Sequence, residues 1–196
     1  GGVNRFDGKS FTWYSIEQGL PHSTVNGIMQ DRDGTLWLAT GGGVCFFNGQ
    51  HFVSFTKEQG LADNWVYSVK QDPTGNIWFG TGSGLTMLNA KDIQPVCAAA
   101  NINAAEPSQD IRKTNNEMIK KALLNFHPTH GLADDEISNV YTDKEGNLWC
   151  CTPSGLSVLS KAKLQRMNSW SESEKIACQN PGSQYAQLFH TYNTMD

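Results

Sequence analysis

The chain has 196 residues, a formal net charge of −4, 38% hydrophobic residues and 19 glycines. That length can bury a sizeable core, and an acidic balance without a basic stripe excludes a nucleic-acid partner. No apolar run approaches the ~20 residues of a membrane span, which excludes membrane contact by this segment.

Residues 1–18 open in the middle of a repeated unit. Gly1-Gly2-Val3 matches Gly42-Gly43-Val44, and Phe6-Asp7-Gly8 matches Phe47-Asn48-Gly49. They read as the end of one unit, its third and fourth strands, with Phe11–Tyr14 as the fourth. No signal peptide is visible, and the opening inside a repeat leads us to expect a piece of a longer protein.

Residues 19–59 form the first full copy. It begins Gly19-Leu20-Pro21 and runs through Asp31-Arg32-Asp33-Gly34, Leu36-Trp37, Thr40 and Gly43-Val44. Val25–Asp31 is short and bounded by turn residues, which predicts a strand. Asp-x-x-Gly then closes a hairpin, because Asp accepts backbone N–H groups and Gly takes the left-handed position. Leu36–Thr40, Val44–Phe47 and Phe52–Phe55 are the second, third and fourth strands.

Residues 60–130 hold the second copy. Its markers are Gly60-Leu61, Asp72 to Gly75, Ile77-Trp78, Thr81 and Gly84-Leu85. The spacing from Trp37 to Trp78 is 41 residues, and from Trp78 to Trp149 it is 71. Thirty extra residues, roughly Ala90–Lys120, therefore enter between the third and fourth strands. The stretch Cys97–Ala105 reads as weakly structured. Glu106-Pro107-Ser108-Gln109-Asp110 offers a helix start, and Ile111, Met118, Ile119, Ala122 and Leu123 share one helical face. One short amphipathic helix docked on the outside is expected, with Leu124–Phe126 resuming the fourth strand.

Residues 131–170 hold the third copy, with Gly131-Leu132, Asp143 to Gly146, Leu148-Trp149, Thr152 and Gly155-Leu156. Its first strand is expected at Ile137–Asp143. From Ser171 the pattern is lost, so 171–196 read as a peripheral or disordered tail.

Four antiparallel strands per unit of about forty residues is the arithmetic of a β-propeller blade. The fold class is all-β: a partial β-propeller of about three and a half four-stranded blades with one helical insertion. Stacking neighbours buries each blade's faces, and Trp37, Trp78 and Trp149 are expected between blades. Three assemblies fit: a fragment of a larger propeller, a pairing with a second copy to close a ring, and an open remnant.

Most apparent motifs reduce to turns. Asp31 to Gly34 resembles a calcium loop but lacks its continuing carboxylates. Gly80-Thr81-Gly82-Ser83-Gly84 precedes a strand and has no Lys, so it is not a phosphate loop. His127-Pro128-Thr129-His130 has no third metal ligand. No metal or cofactor is expected. Cys45, Cys97, Cys150, Cys151 and Cys178 show no CxxC spacing and read as small buried hydrophobes.

The pattern Gly-Leu-x-x-x-x-Val, Asp-x-x-Gly-x-Leu-Trp, Thr-x-x-Gly-Leu resembles the two-component regulator propeller repeat. Residues 19–40, 60–85 and 131–156 carry it, and 1–8 carry its end. Such repeats are similar to those in periplasmic sensor regions of bacterial hybrid two-component systems. The resemblance implies a sensory or ligand-binding module, periplasmic or extracytoplasmic, with glycans or other small molecules as ligands.

Candidate ligand-binding residues are those that differ where the frame repeats. The loop before each first strand reads His22-Ser23-Thr24, Asp63-Asn64-Trp65 and Asp134-Asp135-Glu136. In propellers these loops lie beside the central channel. Trp65 suits stacking on a sugar ring; His22, Asn64, Asp134, Asp135 and Glu136 suit hydrogen bonding. No Ser-His-Asp set or paired carboxylates stand out, so catalysis is not expected. The alternatives are a protein-interaction scaffold and a propeller-fold lyase or hydrolase.

Overall fold

The computed structural model describes residues 1–49, 52–104, 108–180 and 182–193. Its strands form three four-stranded sheets and one two-stranded sheet, all antiparallel meanders. The partial propeller read from the repeat is the fold observed. Strands β1 (Val3–Phe6) and β2 (Phe11–Tyr14) make the half-blade. The first full blade is β3 (Val25–Gln30), β4 (Leu36–Thr40), β5 (Gly43–Phe47) and β6 (Phe52–Phe55). The second is β7 (Val66–Gln71), β8 (Ile77–Thr81), β9 (Gly84–Leu88) and β10 (Leu123–Phe126). The third is β11 (Asn139–Thr142), β12 (Leu148–Thr152), β13 (Gly155–Leu159) and β14 (His190–Asn193).

Each blade's first hairpin is held by one carboxylate. Asp72 Oδ1 accepts the N–H groups of Thr74 at 2.8 Å and Asn76 at 3.1 Å, fixing the turn. Its Oδ2 accepts the indole N–H of Trp78 at 2.7 Å. Asp31 holds Trp37 at 2.8 Å and Asp143 holds Trp149 at 2.7 Å in the same way. The second turn is fixed by Thr: Thr40 and Thr81 donate to the carbonyls of Gly43 and Gly84, both at 2.7 Å. Gly84 has φ +132°, and a Cβ there would stand 2.8 Å from the Phe126 carbonyl oxygen of the fourth strand. Only Gly lets the chain turn so tightly against that strand.

The first strands are innermost, since β3 lies against β7 and β7 against β11. Asn26 Nδ2 donates across to the Val66 carbonyl at 2.8 Å. The cores lie between blades. Trp37, Val44, Phe46 and Phe55 of the first meet Ile77, Phe79 and Leu88 of the second. Trp78, Leu85, Met87 and Phe126 of the second meet Leu148, Cys150 and Leu159 of the third. The half-blade packs Val3 and Tyr14 on Leu38, Cys45 and Phe52. The repeated Leu20, Leu61 and Leu132 are buried, one in each of these cores.

Three expectations are corrected. First, the insertion is two helices: α1 (Ile93–Ala104) and α2 (Gln109–Ala122). The Cys97–Ala104 stretch is helical because Ala favours helix and its small side chains pack closely; Cys97, Ala99 and Ala100 are buried. Ala105, Glu106 and Pro107 lie outside the described residues. On α2, Ile119 and Ala122 are buried, but Ile111 is exposed, being a full helix length from the strand that anchors the other end.

Second, the segment from Ser171 is not a tail. Helices α3 (Lys161–Met167) and α4 (Glu172–Cys178) lead into β14, which pairs with β13 as the blade's fourth strand. The third blade thus carries an insertion at the same connection as the second. Buried Lys175 joins the two, pairing with Asp92 at 3.4 Å and Glu172 at 3.0 Å. Third, β11 begins at Asn139, because the Ile137 N–H is donated to the Thr81 carbonyl of the preceding blade, at 2.9 Å.

The histidine pair is a turn cap. Each full blade is preceded by a 3₁₀ turn: Ile16–Gln18, Lys57–Gln59 and Pro128–His130. Gln18 and Gln59 accept the N–H groups of Ser15 and Thr56. His130 Nδ1 takes that place, accepting from His127 N–H at 3.0 Å. Cys45, Cys97, Cys150 and Cys178 are buried and Cys151 half-buried, all as free thiols. Burial pushes the Cys45 and Cys97 thiols up to about 12.

Two outcomes follow. Asp72→Ala removes the turn bonds and leaves the Trp78 N–H buried without a partner. It should cost about 3 kcal/mol in urea-induced unfolding, and a loss under about 1 kcal/mol would refute the carboxylate's role. The Trp149 indole first, then Asn147, hold the Asp143 carboxyl down at about 2, below its ordinary 3.8. A depressed carboxyl contributes its stability above the unfolded value and loses it as pH falls through the folded one. Acid titration followed by the Trp149 indole N–H resonance should therefore show the third blade weakening between about pH 4 and pH 2. In Asp143→Asn that step should be gone.

Candidate functional site

The loops entering β3, β7 and β11 share a frame. Their first residue accepts the N–H two positions on. His22 Nδ1 accepts from Thr24 at 3.0 Å, Asp63 from Trp65 at 2.9 Å and Asp134 from Glu136 at 3.3 Å. Asp63 and Asp134 also accept from hydroxyls in the next turn, Ser83 at 2.9 Å and Ser154 at 2.5 Å. His22 and Asp134 therefore shape their loops as well as lining them.

The second position turns back toward the preceding 3₁₀ turn. Asn64 Oδ1 accepts the Lys57 N–H at 2.8 Å. Asp135 Oδ1 lies 3.2 Å from His127 Nδ1, in an exposed pair. The Asn64 oxygen is thus committed to the turn, while the residue itself is exposed.

The third position carries Trp65, whose side chain is left for solvent. Trp65 is 41% exposed although it is large and apolar. Its ring meets His22 edge-on at 5.8 Å between centroids, and Tyr67 at 6.4 Å. His22 comes from the neighbouring blade, so the group spans a blade boundary. A Cβ at Gly41 would stand 2.7 Å from His22 Nδ1 and 3.1 Å from Trp65 Cζ3, so Gly41 leaves room for both rings. The structure brings His22 and Trp65 together and places Asp134, Asp135 and Glu136 one blade further round. Glu136 is half-buried.

Tyr67 is the residue that sequence reasoning missed. It follows Trp65 by two positions, and side chains two apart on an extended chain share a face. That alternation was the available signal.

The electrostatics keep the loop carboxylates ionised. Burial pushes the Asp63 carboxyl up, but the Trp65 N–H, the Ser83 hydroxyl and Lys57 outweigh it and hold it low. The Ser154 hydroxyl and the Glu136 N–H hold Asp134 low. Both are ionised at neutral pH, which removes them as general acids. Among the described residues no group of three His, Cys, Asp or Glu could hold a metal. What remains is an aromatic surface edged by an imidazole and a phenol, suited to stacking and hydrogen bonding.

The family described as two component regulator propeller matches residues 19–42, 60–83 and 131–154. No curated protein matches the chain. The extracellular domain of a putative hybrid two component system from B. thetaiotaomicron is similar, with a TM-score of 0.62 and 22% identity. That match covers 98% of this chain and 20% of the other. The extracellular domain of a putative one component system from the same organism gives 0.59 at 17% identity, covering 91% and 23%. The chain thus spans about a fifth of the length of these structures. At such identities the likeness shows the fold. The family match and the Asp–Trp frame fall at the same three places, so these three segments carry the two component regulator propeller repeat.

Proposed function

We propose that the chain is a ligand-binding, sensory module within a larger extracytoplasmic β-propeller, periplasmic in a bacterial cell, that recognises glycans or other small molecules. The observation that carries this is the exposed Trp65 ring between the half-buried His22 and Tyr67 on the inner loops. A large aromatic left half-exposed beside two ring neighbours has no part in the turn it follows. Its face suits the C–H face of a sugar, and His22 and Tyr67 supply hydrogen bonds at the edge. The reading is also supported by the similar structures, which are extracellular domains of two component and one component systems. Among the described residues no helix is long and apolar enough to cross a membrane. Catalysis forms no part of the proposal, because the ionised Asp63 and Asp134 are spent on turn hydrogen bonds.

A glycan array with the intact chain, followed by calorimetry on the best ligand, tests the site. Trp65→Ala should weaken binding at least about tenfold, or about 1.4 kcal/mol. Asn64→Ala, whose oxygen serves the turn, should leave affinity within about twofold. Unchanged affinity in Trp65→Ala, or no ligand at all for the intact chain, would sink the proposal.

A further inference from the structure

The connection between β13 and β14 builds a cavity of its own, about 200 Å³ in volume. Its lining residues all fall between Lys163 on α3 and Leu188 just before β14, so no neighbouring blade supplies a wall. Trp170, Tyr185 and Leu188 are buried and form the floor, with the two rings 4.9 Å apart between centroids. Lys163, Arg166 and two glutamine side chains are exposed and form the rim.

Packing alone does not account for the floor. Trp170 Nε1 and Tyr185 Oη are buried, and neither has a hydrogen-bond partner among the described residues. The tryptophans of the second strands differ, since Asp31, Asp72 and Asp143 each accept an indole N–H. Buried polar side-chain atoms are partnered as a rule. An indole N–H can only donate, so whatever completes Trp170 must bring an acceptor.

The rim is equally one-sided. The Arg166 guanidinium makes no hydrogen bond or ion pair among the described residues. Lys163 Nζ donates to the Leu188 carbonyl at 2.6 Å and the Gln187 carbonyl at 3.1 Å, so it is fixed in place without an acid beside it. No acidic side chain lines the cavity, and Glu174 of α4 is taken up by the Ser171 cap. Two cations therefore stand over an apolar floor that holds two unfilled hydrogen-bond groups. A bare inorganic anion would use the cations alone. The volume is also several times the ~30 Å³ share of one water.

We propose that this cavity binds a small hydroxylated carboxylic acid. Its carboxylate meets the Arg166 fork, with Lys163 beside it. Its apolar body lies on Trp170, Tyr185 and Leu188. Its hydroxyl oxygen accepts the Trp170 N–H, and Tyr185 Oη bonds to the same hydroxyl. The site sits in the outer insertion of the third blade and not on the inner loops, so it stands whether or not Trp65 binds a glycan.

The test follows the Trp170 indole N–H resonance of the full chain, assigned by its loss in Trp170→Phe. The ligands are para-hydroxybenzoate, benzoate, which lacks the hydroxyl, para-hydroxybenzamide, which lacks the charge, and inorganic phosphate. Para-hydroxybenzoate should shift the resonance saturably at millimolar concentration or below. Benzoate and the amide should each bind at least about tenfold more weakly. Arg166→Gln should weaken para-hydroxybenzoate by a similar factor, with the Trp78 indole resonance unmoved as the check on folding. Trp65→Ala should leave the titration unchanged. Should Arg166→Gln fail to fold, the comparison of acid with amide on the unaltered chain decides. No saturable shift with para-hydroxybenzoate overturns the proposal. Equal affinity for the amide or for phosphate also overturns it, because the cavity then reads shape alone or charge alone.

Discussion

Trp37 and Trp78 could not sit between blades without the aspartate six residues before each; Trp149, expected between blades too, is half-buried and stacks on Tyr192 of its own blade. The Trp37 and Trp78 rings are each the largest group in their interface, first blade on second and second on third, and both are fully buried. Burying an indole also buries its N–H, and an unpaired N–H there costs roughly 1–3 kcal/mol. The aspartate removes that cost with one oxygen and builds the hairpin turn with the other. Local turn chemistry and long-range packing thus share one side chain. The turn places the Asp, the Asp places the ring, and the ring fixes how far one blade stands from the next.

The same turn reaches outward through its fourth position after the aspartate. Asn76 and Asn147 donate to Asp72 and Asp143 at 3.0 Å and 2.9 Å. Their oxygens accept the N–H groups of Ala90 and Lys161, both at 3.0 Å. Those two residues open the helical insertions of the second and third blades. The first blade has Thr35 in this place, and β5 there runs directly into β6. The anchoring amide thus accompanies the insertion in each blade that has one.

The repeat frame was legible because its markers are rare residues with fixed jobs: Asp, Gly, Trp and Thr at constant spacing. What escaped has equally physical reasons. The fourth strand lies outermost and pairs on one side only, so few residue types are excluded from it. Leu123–Phe126 could still be found through Phe126, but His190–Asn193 follows thirty residues of helix and loop with no turn marker at its start. Helix α1 was hidden because, beyond Ile93 and Val96 in its first turn, its buried face is built of the small Cys97, Ala99 and Ala100. At the candidate site, the loops were visible as differences in a constant frame. That His22 and Asp134 are turn acceptors was not, since a His and an Asp look unlike until both are seen accepting the N–H two residues on. The His22–Trp65 contact joins different copies, so comparing copies in register could not show it.

These constraints leave the repeat free to vary in two places. The first is the outer connection, where the strand that follows has no further neighbour and a helical pair can enter at the cost of one anchoring amide. The second is the inner loop, and there the freedom is narrower. Its first position must accept an N–H, which His22, Asp63 and Asp134 all do. Its second bends back to the 3₁₀ turn in the second and third blades. The third position alone carries no shared duty, and it holds Thr24, Trp65 and Glu136, three side chains of different chemistry. In the proposed site the variation between blades therefore falls on this third position, with the neighbour's first position as its wall and Tyr67 beside Trp65.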